Sequence, residues 1–219
     1  MRSLPLPLAL AARLLPVAVL ASAGWALTSG PFAATPTAEH KPAQKETSTA
    51  SAPSTSAATK TYATSPAPCD GVTEATVKSL VPGAKTAGQE IASTDKSVRR
   101  TCSWNALKGF DYRWLDVSYE IKESDETAQK SYEGRVEDKS GGGAVPGLGD
   151  SAYSVVNLTT ENKQQTREGV VIVRASNALV VVTYNGSDFE TKKAPSTDEI
   201  NKGAIKAAKD AVATLEKSQ

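Results

Sequence analysis

The clearest hydrophobic pattern in the chain is an alternation over residues 115–122. Leu115, Val117, Tyr119 and Ile121 are apolar, and each is followed by a polar or charged residue. Successive side chains of a β-strand point to opposite faces of the sheet. The pattern therefore predicts a strand with one buried face and one wet face.

Two longer apolar runs have a different pattern. The segments 168–175 and 178–184 contain continuous aliphatic runs at 170–173 and 179–182, which are typical of central strands that are covered on both faces. Because only Ser176 and Asn177 separate the two segments, we expect them to form a hairpin. Weaker patterns predict strands at 99–106 and 151–157, and a short extended segment near 89–92.

Three segments have the spacing of amphipathic helices. They are residues 70–81, which Asp70 or Thr73 can cap, residues 124–138, which Ser124 caps, and a stretch from Ser196 to the C-terminus. Ser196 and Glu199 form a capping box at the start of the last one. The order helix, two strands, helix, three strands, helix predicts an α+β fold. We expect a mostly antiparallel sheet of about five strands with three helices packed on it.

Composition divides the chain into three parts. Residues 1–27 combine early basic residues with an apolar run and an Ala-Ser-Ala end. This predicts either a signal peptide cleaved after Ala23 or an uncleaved membrane anchor. Residues 28–66 are rich in Ala, Thr, Ser and Pro, so we expect a disordered tether. Residues 67–219 would form a single α+β domain outside the cytoplasm, secreted or tethered to the cell membrane.

The charges exclude one class of partner. The chain has 25 basic and 24 acidic residues with no long run of one sign. Nucleic-acid-binding domains usually carry a basic stripe, so we predict no nucleic-acid partner. Membrane contact is expected only through the N-terminal segment, if it is uncleaved.

Cys69 and Cys102 are the two cysteines of the chain. In an exported protein such a pair predicts one disulfide. A two-cysteine metal site would need further ligands, and the spacing differs from the Cys-x-x-Cys of redox enzymes.

Three local motifs together resemble a known family. They are Pro68-Cys69 opening a helix, Cys102-Ser103-Trp104 in a strand, and Val-Pro-Gly-Leu-Gly-Asp-Ser-Ala-Tyr at 145–153. The chain is similar to an actinobacterial family of secreted, mostly lipid-anchored proteins of unknown function. That family is distantly like the extracytoplasmic sensor domains of mycobacterial Ser/Thr kinases. The resemblance implies a cell-envelope location and a Cys69–Cys102 bridge, but no catalytic residues. The chain departs from the family in lacking a lipid-attachment cysteine after the apolar run.

The predicted domain offers few catalytic constellations. The one histidine, His40, lies in the tether, which excludes a Ser-His-Asp triad and histidine-based metal sites in the domain. We therefore expect no catalytic residue, no metal and no cofactor. Asp111, Asp116 and Glu120 could act as paired carboxylates, although alternation alone would place charges on the wet face of the strand.

The glycine-rich stretch at 141–150 lacks the Gly-Lys-Ser/Thr ending of a phosphate-binding loop. We predict a structural loop that contains Gly147, Gly149 and Asp150. The two glycines are expected to take positive φ angles. Asn157-Leu158-Thr159 and Asn185-Gly186-Ser187 match glycosylation acceptors, but they would have no such role in a bacterial protein. Asn185-Gly186 is better explained as a turn leaving a strand.

An aromatic cluster is the best candidate for a binding patch: Trp104, Phe110, Tyr112 and Trp114. Tyr112 and Trp114 fall on the face of their strand opposite to Leu115 and Val117. A helix over that face would make them part of the core, which is the favoured interpretation. Without a helix they would form an exposed patch for a sugar, lipid or protein.

These features predict an exported, non-enzymatic module that binds a ligand or partner as a sensor or accessory protein. The alternatives are a carboxylate-based envelope hydrolase and a purely structural spacer. The sequence identifies neither the ligand or protein partner nor the oligomeric state.

Overall fold

The computed structural model describes residues 60–219. The predicted signal peptide or anchor (1–27) and most of the predicted tether (28–66) lie outside the described residues. Within them, the helices are α1 (Glu74–Leu80), α2 (Asp125–Glu137) and α3 (Thr197–Glu216). The strands are β1 (Gln89–Ile91), β2 (Arg99–Lys108), β3 (Asp111–Ile121), β4 (Gly143–Ala144), β5 (Ser151–Glu161), β6 (Gln164–Ala175) and β7 (Ala178–Asp188).

The strands form a single antiparallel sheet in the order β1-β2-β3-β7-β6-β5-β4. The predicted α+β class with helices on a sheet is confirmed, but the prediction of about five strands is wrong, since there are seven. The two extra strands are β1 and β4, which occupy the sheet edges with three and two residues. Strand β1 coincides with the short extended segment expected near 89–92, whereas β4 is too short to carry a hydrophobic pattern and was not predicted.

Local sequence signals begin the two longer helices. The hydroxyl of Ser124 accepts a hydrogen bond from the Thr127 amide at the start of α2, and Ser196 accepts one from Glu199 at the start of α3. Both serve as N-caps, as predicted. The predicted helix at 70–81 is instead a 3-10 turn (Pro68–Asp70) followed by α1. It starts late because Thr73, rather than Asp70, caps it.

Helix α3 and the α1 segment cover one face of the sheet, which we call the packed face. The main hydrophobic core lies between them, with Trp104, Leu115 and Tyr119 among its largest fully buried side chains. Tyr119 donates a hydrogen bond to the Ala211 carbonyl of α3 at 3.0 Å. The predicted disulfide joins Cys69 to Cys102, with the Cα atoms 5.0 Å apart, and attaches the 3-10 turn to β2.

The folded domain begins before the predicted boundary at residue 67. Tyr62 is buried in the main core. The side chain of Asn177, in the β6–β7 turn, accepts a hydrogen bond from the Tyr62 amide and donates one to its carbonyl, both at 2.8 Å. The composition of residues 28–66 did not predict that Tyr62 belongs to the domain, because one aromatic residue barely changes the polar composition of the segment.

Candidate functional site

The second face of the sheet is only partly covered, and we call it the opposite face. Helix α2 packs over one part of it, where Tyr132 contacts a small cluster of Val155, Val170 and Ile172. The cluster ends there, and the strands continue beyond it toward the β2–β3 hairpin. This uncovered region is the open half of the opposite face.

One row of side chains crosses the open half on five neighbouring strands. Strand register pairs Asn105 with Trp114, Trp114 with Asn185, Asn185 with Glu168, and Glu168 with Asn157. Directly paired residues point to the same face. The row, which we call the amide row, spans about 19 Å at the usual spacing between strands. None of its five residues is buried.

Aromatic side chains lie at the β2–β3 end of the open half. The rings of Tyr112 and Trp114 meet edge-on at 6.5 Å, and Phe189 lies 6.0 Å from Tyr112. Phe110 is 56% exposed, Phe189 47% and Trp114 38%. The sequence favoured the core for these residues. The structure leaves them partly open because α2 does not extend over them.

Hydrogen bonding fixes the orientation of the exposed tryptophan. The indole Nε1 of Trp114 donates to Asp116 Oδ1 at 2.7 Å. Partial burial and, secondarily, the charge of Asp116 raise the pKa of Tyr112. The hydroxyl, which is protonated at neutral pH even at the ordinary tyrosine pKa of 10.0, can donate a hydrogen bond to a ligand.

Trp104 does not belong to this patch. Its side chain is 1% exposed and lies on the packed face, where its indole Nε1 donates to the Thr86 carbonyl at 2.9 Å. Leu107 takes its place, since it pairs with Tyr112 and is exposed. The sequence-predicted cluster is thus divided between the two faces of the sheet.

A groove adjoins the open half beside β1. Its volume is about 530 Å³, within the range typical of small-molecule sites. It shares Asp116 with the aromatic patch and contains the cationic side chain of Arg99. The remaining lining residues are Ile91, Ala92, Ser93, Thr94, Asp95, Val98 and Thr101.

The glycine-rich loop has a structural role. Gly147 and Gly149 have φ angles of 71° and 57°, as predicted. A Cβ on Gly149 would lie 2.5 Å from the Arg174 carbonyl oxygen, so the loop approaches β6 too closely for a side chain. Asp150 accepts a hydrogen bond from the Ser176 amide at 2.7 Å and forms an ion pair with Arg174, which ties the loop to the β6–β7 turn.

The three carboxylates considered for catalysis do not face one another. Asp111 lies on the packed face and is paired with Arg113. Asp116 and Glu120 share the opposite face, but four residues of strand separate them by about 13 Å. Glycosidase carboxylates are about 5–10 Å apart. The geometry therefore gives no support to a carboxylate pair in β3.

Glu120 is instead the centre of a buried ion-pair network. Its carboxylate lies 2.8 Å from Arg135, 3.0 Å from Lys122 and 3.8 Å from Arg99. Burial raises the pKa of Glu120, but the hydrogen bonds and charges of Lys122 and Arg135 outweigh this effect, so its pKa lies below the ordinary value of 4.5. The network attaches α2 to the sheet.

Replacing Glu120 with glutamine should destabilise the domain in a pH-dependent way, because it removes the charge at the centre of this network. A carboxylate with a lowered pKa in the folded state stabilises the fold above the unfolded value, and that stabilisation is lost as the pH falls. We expect Glu120→Gln to lower the free energy of unfolding by about 2 kcal/mol at pH 7. The difference from wild type should shrink below pH 4.5. Urea unfolding at pH 7 and pH 3 measures both.

Glu123→Gln is the matched control, because Glu123 is largely exposed and has a single ion-pair partner, Lys60. It should change stability by less than about 0.5 kcal/mol at either pH. A Glu120→Gln effect of equal size at pH 7 and pH 3 would contradict the electrostatic origin.

Further site types can be assessed in the described range. Within residues 60–219, no group of three or more His, Cys, Asp or Glu side chains is arranged to hold a metal ion. No helix in this range has the length and apolarity to span a membrane. His40 lies outside the described residues.

Sequence reasoning missed most of the amide row. Asn157 and Asn185 were considered only as acceptor motifs, and Asn185-Gly186 was expected in a turn. Both residues of that dipeptide lie inside β7 instead. Asn105, Leu107, Glu168 and Phe189 carried no motif. Their alternation with buried neighbours was visible, but only the strand register brings them together.

No protein-family model matches the chain, and no curated protein is significantly similar to it. A crystal structure from Bacteroides thetaiotaomicron VPI-5482 aligns with 54% of this chain at 8% identity and a TM-score of 0.33, and the match spans 47% of that chain. The crystal structure of Ara h 8.0201 aligns with 70% of this chain and 91% of its own, at 12% identity and a TM-score of 0.18. These superpositions are too distant to indicate a function.

Proposed function

We propose that the chain is a ligand-binding module of an exported cell-envelope protein and that the open half of the opposite face is its binding surface. The exposed aromatic patch is the observation that carries this proposal. Trp114 and Phe189 both contact Tyr112 on the half of the opposite face that α2 leaves uncovered. Exposed aromatic clusters of this kind are typical of interaction sites.

Two further features support a site rather than an accidental patch. The hydrogen bond to Asp116 holds the Trp114 indole in one orientation. Less side-chain entropy is therefore lost when a ligand binds. The adjacent groove shares Asp116 and offers a concave volume of about 530 Å³. An exposed aromatic patch beside a concave groove lined by both apolar and polar residues suits a small molecule or a chain of small units.

The proposed location outside the cytoplasm depends on the sequence and on the disulfide. The apolar N-terminal stretch predicts export, and disulfides persist in oxidising compartments. A spacer domain would have no need of an oriented, exposed tryptophan. A hydrolase acting through β3 would need two facing acids, whereas Asp116 and Glu120 are separated along the strand.

A thermal-shift screen of the full chain tests the proposal. The panel contains neutral oligosaccharides, anionic polysaccharides, lipid vesicles and short peptides. A ligand at a hundred times its dissociation constant adds about 2.7 kcal/mol, which is a rise of several degrees in Tm for a domain of this size. We expect at least one class to raise the Tm, and Trp114→Ala to abolish the rise.

Leu158→Ala is the matched control. Leu158 is also a large exposed side chain, at 48%, but it pairs with Arg167 on the other side of the sheet from the amide row. This variant should keep the full ligand-induced rise. The proposal fails if no class raises the Tm, or if the rise survives in Trp114→Ala.

A further inference from the structure

The amide row suggests which chemistry the open half recognises. Three asparagines, one glutamate and one tryptophan lie along a line that crosses five strands. A side-chain amide both donates and accepts hydrogen bonds, and a carboxylate accepts them. Such groups match ligand hydroxyls, which also donate and accept. An aromatic ring adds an apolar surface for the C–H face of a ring-shaped ligand.

The charges around the amide row indicate the charge of the ligand. On the same face, the residues next to the row on one side include Ser103, Asp116 and Thr183. Those on its other side include Leu107, Tyr112 and Ser187. No member of the row or of these neighbours is basic, whereas Asp116 and Glu168 are acidic. Neither acid forms an ion pair with another residue in the range 60–219. A polyanion lying along the row would therefore meet two acids and no base, since the cationic Arg99 lies in the adjoining groove, outside the row.

The direction of the row indicates the shape of the ligand. The row runs across the strands for about 19 Å, which is longer than a single sugar ring. Its polar groups recur once per strand, so a chain of repeated hydroxylated units can contact several of them together. An extended polymer lying across the sheet fits this arrangement better than a compact molecule bound at one end.

We propose that the open half binds an uncharged polysaccharide chain, which stacks on Trp114 and hydrogen-bonds along the amide row to Asn185, Glu168 and Asn157. This inference rests on the proposed binding function and assigns its ligand class. Asn157 lies at the far end of the row from Trp114. It should contribute to affinity only when the ligand is long enough to reach it.

Titration of the full chain with chitohexaose, chitobiose, cellohexaose, polygalacturonate and oligolysine tests the assignment. Binding is followed by calorimetry for every variant and, where Trp114 is present, also by the change in total tryptophan fluorescence. We expect a neutral hexasaccharide to bind at least 10-fold more tightly than the disaccharide, and polygalacturonate not to bind. Trp114→Ala should weaken both neutral ligands at least 10-fold. Asn157→Ala should weaken the hexasaccharide about 5-fold and leave the disaccharide unchanged.

Thr160→Ala is the control on the same strand, since Thr160 lies on the other side of β5 and is exposed. It should bind every ligand as the wild type does. Hexasaccharide binding that is insensitive to Asn157→Ala and Asn185→Ala would overturn the extended placement. Binding of polygalacturonate or oligolysine alone, lost in Trp114→Ala, would overturn the ligand class and leave the binding function standing. Absence of binding by every ligand here and in the thermal-shift panel would overturn both.

Discussion

Replacing Trp104 with alanine should destabilise the domain more than any other single substitution considered above. Trp104 heads the fully buried side chains by volume and contributes to the core between β2 and the α1 segment. Truncating a buried tryptophan to alanine costs about 3–5 kcal/mol through lost transfer free energy and the cavity left behind. The lost hydrogen bond leaves the Thr86 carbonyl without its indole partner and adds to this cost.

The same substitution at Trp114 should have a smaller effect. Trp114 is 38% exposed and its truncation leaves a site open to water, so we expect a loss of about 2 kcal/mol. Urea unfolding followed by far-UV circular dichroism compares the variants. Trp104→Phe keeps part of the buried volume and should fold with a smaller loss, even if Trp104→Ala does not. Equal losses at positions 104 and 114 would contradict the division of the two tryptophans between opposite faces.

That division shows where reasoning from sequence succeeds. The alternation from Leu115 to Ile121 correctly predicts which side of β3 is buried, because side-chain direction along a strand depends only on local geometry. The Ser176-Asn177 hairpin and the serine caps at Ser124 and Ser196 were predicted for the same reason. Each of these signals is complete within a few residues.

Trp104 was placed wrongly because its relation to Tyr112 depends on register. Register fixes which face of one strand is continuous with which face of the next. Strand β2 continues to Lys108, and Gly109-Phe110 forms a tight turn with Gly109 at a φ of 63°. Ending the predicted strand at Ala106 concealed this hairpin. With the hairpin recognised, Trp104 would have been paired with the buried Leu115.

The amide row was harder to foresee. Its β5–β6 and β6–β7 contacts come from hairpins, but Trp114 reaches Asn185 through the pairing of β3 with β7. That pairing joins segments separated by α2 and three strands, so no local signal specifies it. A candidate site that depends on it follows from the topology and cannot be assembled from motifs.

Breaking the Cys69–Cys102 disulfide should also strongly lower the free energy of unfolding of the domain. The bond closes a loop with a sequence separation of 33 residues, and the chain-entropy relation gives a stabilisation of about 3–4 kcal/mol for a loop of this length. The loop contains α1, whose Val77, together with the adjacent Val81, is fully buried. Without the bond, this segment is held to β2 and α3 by packing and by hydrogen bonds, among them those from Thr73 to Asp210 of α3 and from Trp104 of β2 to the Thr86 carbonyl.

Reduction and mutation test this prediction independently. The chain has two cysteines, so a reductant acts on a single bond. Urea unfolding of the wild type with reductant, and of the Cys69→Ala/Cys102→Ala variant without it, should both show the loss. The urea dependence should steepen, because the unfolded chain expands when the cross-link is absent. The double variant should not respond to reductant.

The disulfide and the binding surface should be separable. Cys102 points to the packed face, and the amide row lies on the other side of the same sheet. At temperatures where the reduced protein is still folded, its affinity for the ligand of the open half should equal that of the oxidised protein. A loss of stability below about 1 kcal/mol on reduction would show that packing of α1, rather than the covalent bond, holds this end of the core. A loss of affinity in the folded, reduced protein would show that the two faces are coupled through β2.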